Sequence, residues 1–113
     1  MSSFTVGREA ENIACEYLKS LKYIIIDKNW RTKYCEIDII AKKNKCMYFT
    51  EVKYRRSNLQ GRGLDYITPK KLKQMSYSAE IWLHNNNWQY DSELCAIELT
   101  GSPPTVTNLI VGI

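Results

Sequence analysis

The sequence predicts an α/β domain, a mixed sheet of four or five strands with one helix on each face. Three observations lead there. Residues 8–22 and the stretch after Thr68-Pro69 each place apolar residues at the i, i+3, i+4, i+7 spacing of an amphipathic helix. Between them lie short runs rich in Ile, Val, Tyr and Phe, two of which flank the polar tetrapeptide Lys42-Lys43-Asn44-Lys45. The second helix falls between the third and fourth strand signals, so the two strands it joins run parallel within an otherwise antiparallel sheet. With 113 residues the chain, 1–113, reads as one domain, large enough to bury a core without staples.

In the first helix Ala10, Ile13, Ala14, Tyr17, Leu18 and Leu21 make one stripe, with Thr5 as the expected N-cap. Glu11 borders that stripe beside Leu18, Glu9 borders its opposite side, and Glu16 points away. Either Glu11 or Glu9 is therefore placed to lean over the sheet, and the helical wheel does not choose between them. Tyr23–Asp27 is nearly all apolar and is expected as a strand buried on both faces. Lys28–Tyr34 links it to the segments Cys35–Ala41 and Cys46–Lys53, giving a three-stranded meander. Beyond Lys53 come Tyr54-Arg55-Arg56 and then Ser57–Gly63, where Gly61-Arg62-Gly63 sets a guanidinium at a loop tip.

Thr68 caps the second helix and Pro69 takes its first position. Leu72, Met75, Ala79, Trp82 and Leu83 form its stripe, and Asn85-Asn86-Asn87 ends it. A further strand is expected around Leu94–Leu99, a turn at Gly101–Pro104, and a last strand or ordered tail at Val106–Ile113.

The chemistry gathers on the hairpin. Closing its loop with Ala41 opposite Cys46 puts Glu36 opposite Glu51 and Asp38 opposite Phe49. Asp38 then becomes a diagonal neighbour of Glu51 at a Cβ separation of about 7 Å. Two carboxylates on one face can share a divalent cation, and Asp and Glu are the hard oxygen ligands that Mg²⁺ or Mn²⁺ take. Lys53 points the same way and is placed to hold a phosphate or the attacking water. A merely solvated face would instead expose Ile40 and Phe49 and oppose two like charges. On the second helix Lys71 borders the apolar stripe near the helix start, within reach of the same site, while Lys70 and Lys73 point outward.

The formal charge of +4 is unevenly spread. Residues 42–73 hold ten Lys and Arg against Glu51 and Asp65, a net of +8, and the remainder carries −4. Basic charge around a carboxylate pair suits a polyanionic substrate steered to a metal. Cys15, Cys35, Cys46 and Cys95 are scattered, with no Cys-x-x-Cys, and are expected as free thiols. The single His84 leaves Cys/His or Ser/His/Asp catalysis without support. No stretch approaches the roughly 20 apolar residues of a membrane helix, and Met1–Val6 lacks a signal peptide's apolar run, so a cytoplasmic protein is expected.

The order of helix acid, strand Asp, strand Glu-x-Lys and helix Lys, set by Glu11, Asp38, Glu51, Lys53 and Lys71, resembles the PD-(D/E)xK nuclease superfamily. More narrowly, the chain resembles the YraN family of small bacterial proteins, similar to archaeal Holliday-junction resolvases. The shared wording includes Gly7-Arg8-Glu9-Ala10-Glu11, Asn29-Trp30-Arg31, Glu36-Ile37-Asp38-Ile39-Ile40-Ala41 and Phe49-Thr50-Glu51-Val52-Lys53-Tyr54-Arg55. It runs from about Gly7 to Leu99 and is sparse after Leu83. The resemblance implies a restriction-endonuclease-like core and a metal held by Asp38, Glu51 and the main-chain carbonyl of Val52. It makes Lys53 the support of the attacking water and Glu11, rather than Glu9, the acid that completes the site. Cys35 and Ala10 stand where the family usually has glycine.

The function expected is metal-dependent hydrolysis of phosphodiester bonds in nucleic acid, most naturally DNA, with Mg²⁺ or Mn²⁺ as cofactor. Arg55, Arg56, Arg62, Lys70 and Lys71 would hold the backbone without reading sequence. A branched substrate would fit a homodimer with two active sites. The alternative is a binding module that keeps the nuclease fold without turnover, because fold does not imply function. A protein scaffold is the third reading, and it predicts no salt-dependent affinity for nucleic acid.

Overall fold

The computed structural model describes residues 3–56 and 67–113. Along the chain run α1 (Ser3–Ser20), β1 (Ile24–Arg31), β2 (Glu36–Lys43), β3 (Cys46–Arg55), α2 (Pro69–Asn85), β4 (Asp91–Thr100) and β5 (Thr105–Val111). The five strands form one sheet in the order β1-β2-β3-β4-β5. β1, β2 and β3 are the expected antiparallel meander, and β3 pairs parallel with β4 across the α2 connection. β5 closes the sheet antiparallel to β4. The arrangement is that of a restriction-endonuclease-like core.

Each helix buries its stripe on its own face of the sheet. Ala10, Ala14 and Leu18 of α1 pack on Ile39, Ala41, Ile97 and Leu99, the two alanines letting the helix approach closely. Met75, Ala79 and Trp82 of α2 pack on Ile37, Ile40, Met47 and Phe49, with the Phe49 and Trp82 rings edge to face at 5.8 Å. The termini follow local chemistry. Thr68 accepts a 3.0 Å hydrogen bond from the Lys71 amide, with Pro69 following it. The far end of α2 turns through Asn87 at φ 51°, and Trp88 N–H reaches back to the Leu83 carbonyl. The end of α1 uses the same motif with Lys22 at φ 75°: Tyr23 N–H donates to the Leu18 carbonyl and Lys22 N–H to that of Lys19.

Three sequence expectations are corrected. α1 begins at Ser3, so Thr5 lies within the helix and does not cap it. The Tyr23–Asp27 run is not a doubly buried strand: β1 lies at the sheet edge, extends to Arg31, and leaves Ile24 and Ile26 60% and 42% exposed. A register shift between Ile25 and Asp27 takes Ile26 out of the ladder, and an apolar run cannot by itself distinguish an edge from a centre. Much of the expected linker, from Lys28 on, is strand because Trp30 pairs with Ile37 and packs toward the α2 cluster. Arg62 and the glycine-flanked loop around it lie outside the described residues. Among the described residues no helix is long and apolar enough to cross a membrane.

Candidate functional site

The β2–β3 turn sets the site's geometry. Only Asn44 and Lys45 lie between the strands, with Asn44 at φ 55°, and the ladder starts at Lys43 opposite Cys46. That register differs by two residues from the one that pairs Ala41 with Cys46. Because side chains alternate with a period of two, a shift of two residues by itself moves no side chain to the other face. The ladder runs to Ile39 opposite Thr50 and stops there. One further step would set Asp38 directly across from Glu51. Instead Asp38 Oδ2 accepts a 2.8 Å hydrogen bond from the Val52 N–H, so the acid binds a β3 amide just past the end of the ladder.

β2 also rotates at this point. Ile39 and Ala41 face α1, whereas both Ile37 and Ile40 lie in the α2 cluster, which simple alternation would forbid. Opposite Asp38 on β1 stands Asn29, at φ 53°, between the pairs Lys28–Ile39 and Trp30–Ile37. Its side-chain amide donates to Glu11 Oε1 at 3.0 Å, and Lys28 Nζ donates to Asn12 Oδ1 at 2.9 Å. α1 is thereby tied to β1 beside the acids. Of the two glutamates that the helical wheel left open, Glu11 is the one whose charge acts on Asp38.

Asp38 is 9% exposed, and its pKa rises from 3.8 to about 7. Burial is the largest cause, the Glu51 charge adds to it, and the Val52 hydrogen bond offsets part. Glu51 is also pushed up by burial, against the lowering effect of Lys71 and Lys53 and with a further rise from Glu36. Lys71 Nζ stands 3.2 Å from Glu51 Oε2, so the lysine expected at the α2 start does reach the site. A buried and a largely buried carboxylate, each costly to ionise, are a donor set that a hard divalent cation fits, since its charge would remove the penalty. Among the described residues no three His, Cys, Asp or Glu side chains converge at metal-binding spacing. The fit therefore rests on Asp38 and Glu51, with Glu11 engaged by Asn29.

The basic residues divide. Lys53 lies two residues beyond Glu51 on the same face of β3 and is half-buried. Arg56 and Lys70 are exposed. Arg55 is not placed as a free backbone clamp: its Nε lies 3.3 Å from Glu98 Oε2, and the two side chains are only 12% and 13% exposed. Glu98 is the acid that sequence reasoning missed. It lies in register with Lys53 across the parallel pair, and its signal was a carboxylate between Ile97 and Leu99, interrupting the apolar run that starts at Leu94. Cys35 Sγ is 3.5 Å from Ser78 Oγ, so the residue standing in place of the family's glycine turns toward α2. All four cysteines are free thiols, and burial pushes Cys95 up to about 12.

The sequence profile of the uncharacterised protein family UPF0102 matches residues 10–99. A UPF0102 protein of Cytophaga hutchinsonii is 39% identical over 101 residues, covering 89% of each chain. One from Tropheryma whipplei is 37% identical over 120 residues, covering all of this chain and 96% of its own. One from Geotalea uraniireducens is 43% identical over 79 residues, covering 70% of this chain and 62% of its own.

Proposed function

The chain belongs to the UPF0102 family, and we propose that it is a metal-dependent endonuclease that hydrolyses phosphodiester bonds in nucleic acid, with DNA as substrate. The observation that carries the reading is the pair of buried Asp38 and largely buried Glu51, which ionises at a cost that a divalent cation would offset. Asp38, Glu51 and the Val52 carbonyl would hold Mg²⁺ or Mn²⁺. When bound there, such an ion supplies Lewis acidity toward the phosphoryl oxygens and a more acidic water. Lys53 orients the attacking water and balances charge as the phosphorus centre gains it. Lys71 draws Glu51 toward the α2 start, where its ammonium is also open to a substrate phosphate. Arg56 and Lys70 hold the backbone without reading sequence.

A catalytically silent nucleic-acid-binding module is the second reading, and one observation favours it. The Lys71 ammonium already stands on Glu51, which lessens the need for a metal. The test is cleavage of labelled duplex, single-stranded, flapped and four-way-junction DNA, and of RNA, with Mg²⁺, Mn²⁺ or EDTA. Cutting that needs metal and is lost in Asp38→Ala and Glu51→Ala proteins supports the enzyme. No cutting under any condition, with salt-sensitive binding retained in both variants, supports the module.

A further inference from the structure

Two exposed tyrosines meet next to a groove that Glu36 lines, without serving the core. Tyr34, in the β1–β2 loop, and Tyr77, on the outer side of α2, are 38% and 40% exposed, with ring centroids 5.1 Å apart. Cations surround them: Lys33 Nζ lies 5.3 Å from the Tyr34 ring and Lys73 Nζ 5.9 Å from the Tyr77 ring. Tyr34 borders two shallow grooves. One, of about 300 Å³, is lined by Arg31, Thr32, Lys33, Tyr34, Cys35 and Glu36. The other, of about 400 Å³, has Ile81 as its apolar part and Tyr34, Tyr77, Glu80, His84 and Asn85 around it.

The loop that presents Tyr34 is held in place. The Thr32 hydroxyl accepts from the Tyr34 N–H at 3.0 Å and shares a 2.6 Å hydrogen bond with Ser78, which is fully buried on α2. An exposed ring anchored through its own backbone loses little freedom when a ligand stacks on it. The loop also adjoins the acids. Glu36 lines the basic groove, pairs with Arg31 at 3.8 Å, and adds its charge to both Asp38 and Glu51.

We infer that Tyr34 and Tyr77 form a stacking platform for an unpaired nucleotide, whose phosphates lie on Arg31, Lys33 and Lys73 and whose strand leads to Asp38 and Glu51. The inference rests on the nuclease reading for the identity of the ligand as nucleic acid. It adds that the substrate carries a single-stranded segment next to the cut. The chemistry favours a base over a phosphate in the Tyr77 groove, because Glu80 would repel an anion there. His84 and Asn85 offer hydrogen-bonding groups to a base edge. A duplex keeps its bases stacked inside and has none to offer the rings.

Binding in EDTA tests this without requiring catalysis. Wild type, Tyr34→Ala, Tyr77→Ala, Tyr34→Phe and Tyr90→Ala proteins are titrated by fluorescence anisotropy into labelled oligothymidylate of about 12 nucleotides, an abasic strand of equal length, and a duplex. Wild type should prefer oligothymidylate to the abasic strand. Tyr34→Ala or Tyr77→Ala should weaken oligothymidylate binding by about fivefold or more and leave duplex and abasic binding unchanged. Tyr34→Phe should keep the preference. Tyr90→Ala, which removes the 61% exposed ring beside Lys45, should not alter it. Equal affinity of wild type for oligothymidylate and abasic strand would overturn the platform. So would a loss with Tyr90→Ala as large as that with Tyr34→Ala. Failure of the nuclease reading shows separately, as absent cleavage with Mg²⁺ or Mn²⁺.

Discussion

Replacing Asp38 by asparagine should make the metal-free protein more stable at neutral and mildly alkaline pH, although it removes a residue proposed to bind the metal. Folded, Asp38 holds its proton to about pH 7; unfolded, it releases it near 3.8. Between those values folding takes up a proton, so stability is greatest at the acid end and falls as pH rises, by about 1.4 kcal/mol per unit. From pH 5 to 8 the loss is about 3 kcal/mol, or a fall in Tm of about 10 °C for a domain of this size. The asparagine side chain cannot ionise, and its carbonyl can still accept the Val52 N–H. Thermal unfolding followed by circular dichroism, in EDTA at several pH values, should show a steep decline for wild type and a much flatter line for Asp38→Asn. The two lines should cross, with the variant above wild type at pH 8. Millimolar Mn²⁺ should then raise the Tm of wild type at pH 8 and leave the variant little changed. Parallel pH profiles for the two proteins would refute the reasoning, since the burial and charge that raise this pKa would then be absent.

Arg55 and Arg56 should separate cleanly. Arg55→Ala strands the Glu98 carboxylate in a nearly closed site and should cost about 3 kcal/mol in urea unfolding, whereas Arg56→Ala, at an exposed position, should cost less stability and weaken nucleic-acid binding at low salt. Lys22→Gly should stabilise by about 0.5–1 kcal/mol, because it relieves a side chain at φ 75° and gives back part of that gain as unfolded-chain entropy. A lower Tm in that variant would contradict the Schellman-type end of α1. Thr68→Ala removes the 3.0 Å acceptor for the Lys71 amide and should cost about 1 kcal/mol by chemical unfolding. The same change should reduce cleavage if Lys71 needs a firm helix start to reach Glu51.

The sequence by itself determined what depends on neighbours along the chain. A helical period placed Leu18 and Met75 on buried faces, Thr68-Pro69 marked the first turn of α2, and the two-residue period put Asp38 and Glu51 on one side of the hairpin. Face membership of Ile39, Ile40, Ala41, Met47 and Phe49 survived a two-residue error in register because parity is all it requires, while Ile37, turned to the α2 side by the rotation of β2, did not follow it. Lys71 was legible for the same reason: its angle on the wheel and its nearness to the helix start were both local facts.

Tertiary structure decided what depends on pairing between distant segments. Asn44 accepts a left-handed backbone and shortens the turn, which carries Asp38 past the end of the ladder and onto the Val52 amide. Edge or centre for β1, the capture of Arg55 by Glu98, and the meeting of Tyr34 with Tyr77 each join residues whose separation no local period encodes. Residue type and spacing state which face a side chain takes. Only the closed sheet, with its helices docked, states which side chain waits on the other side.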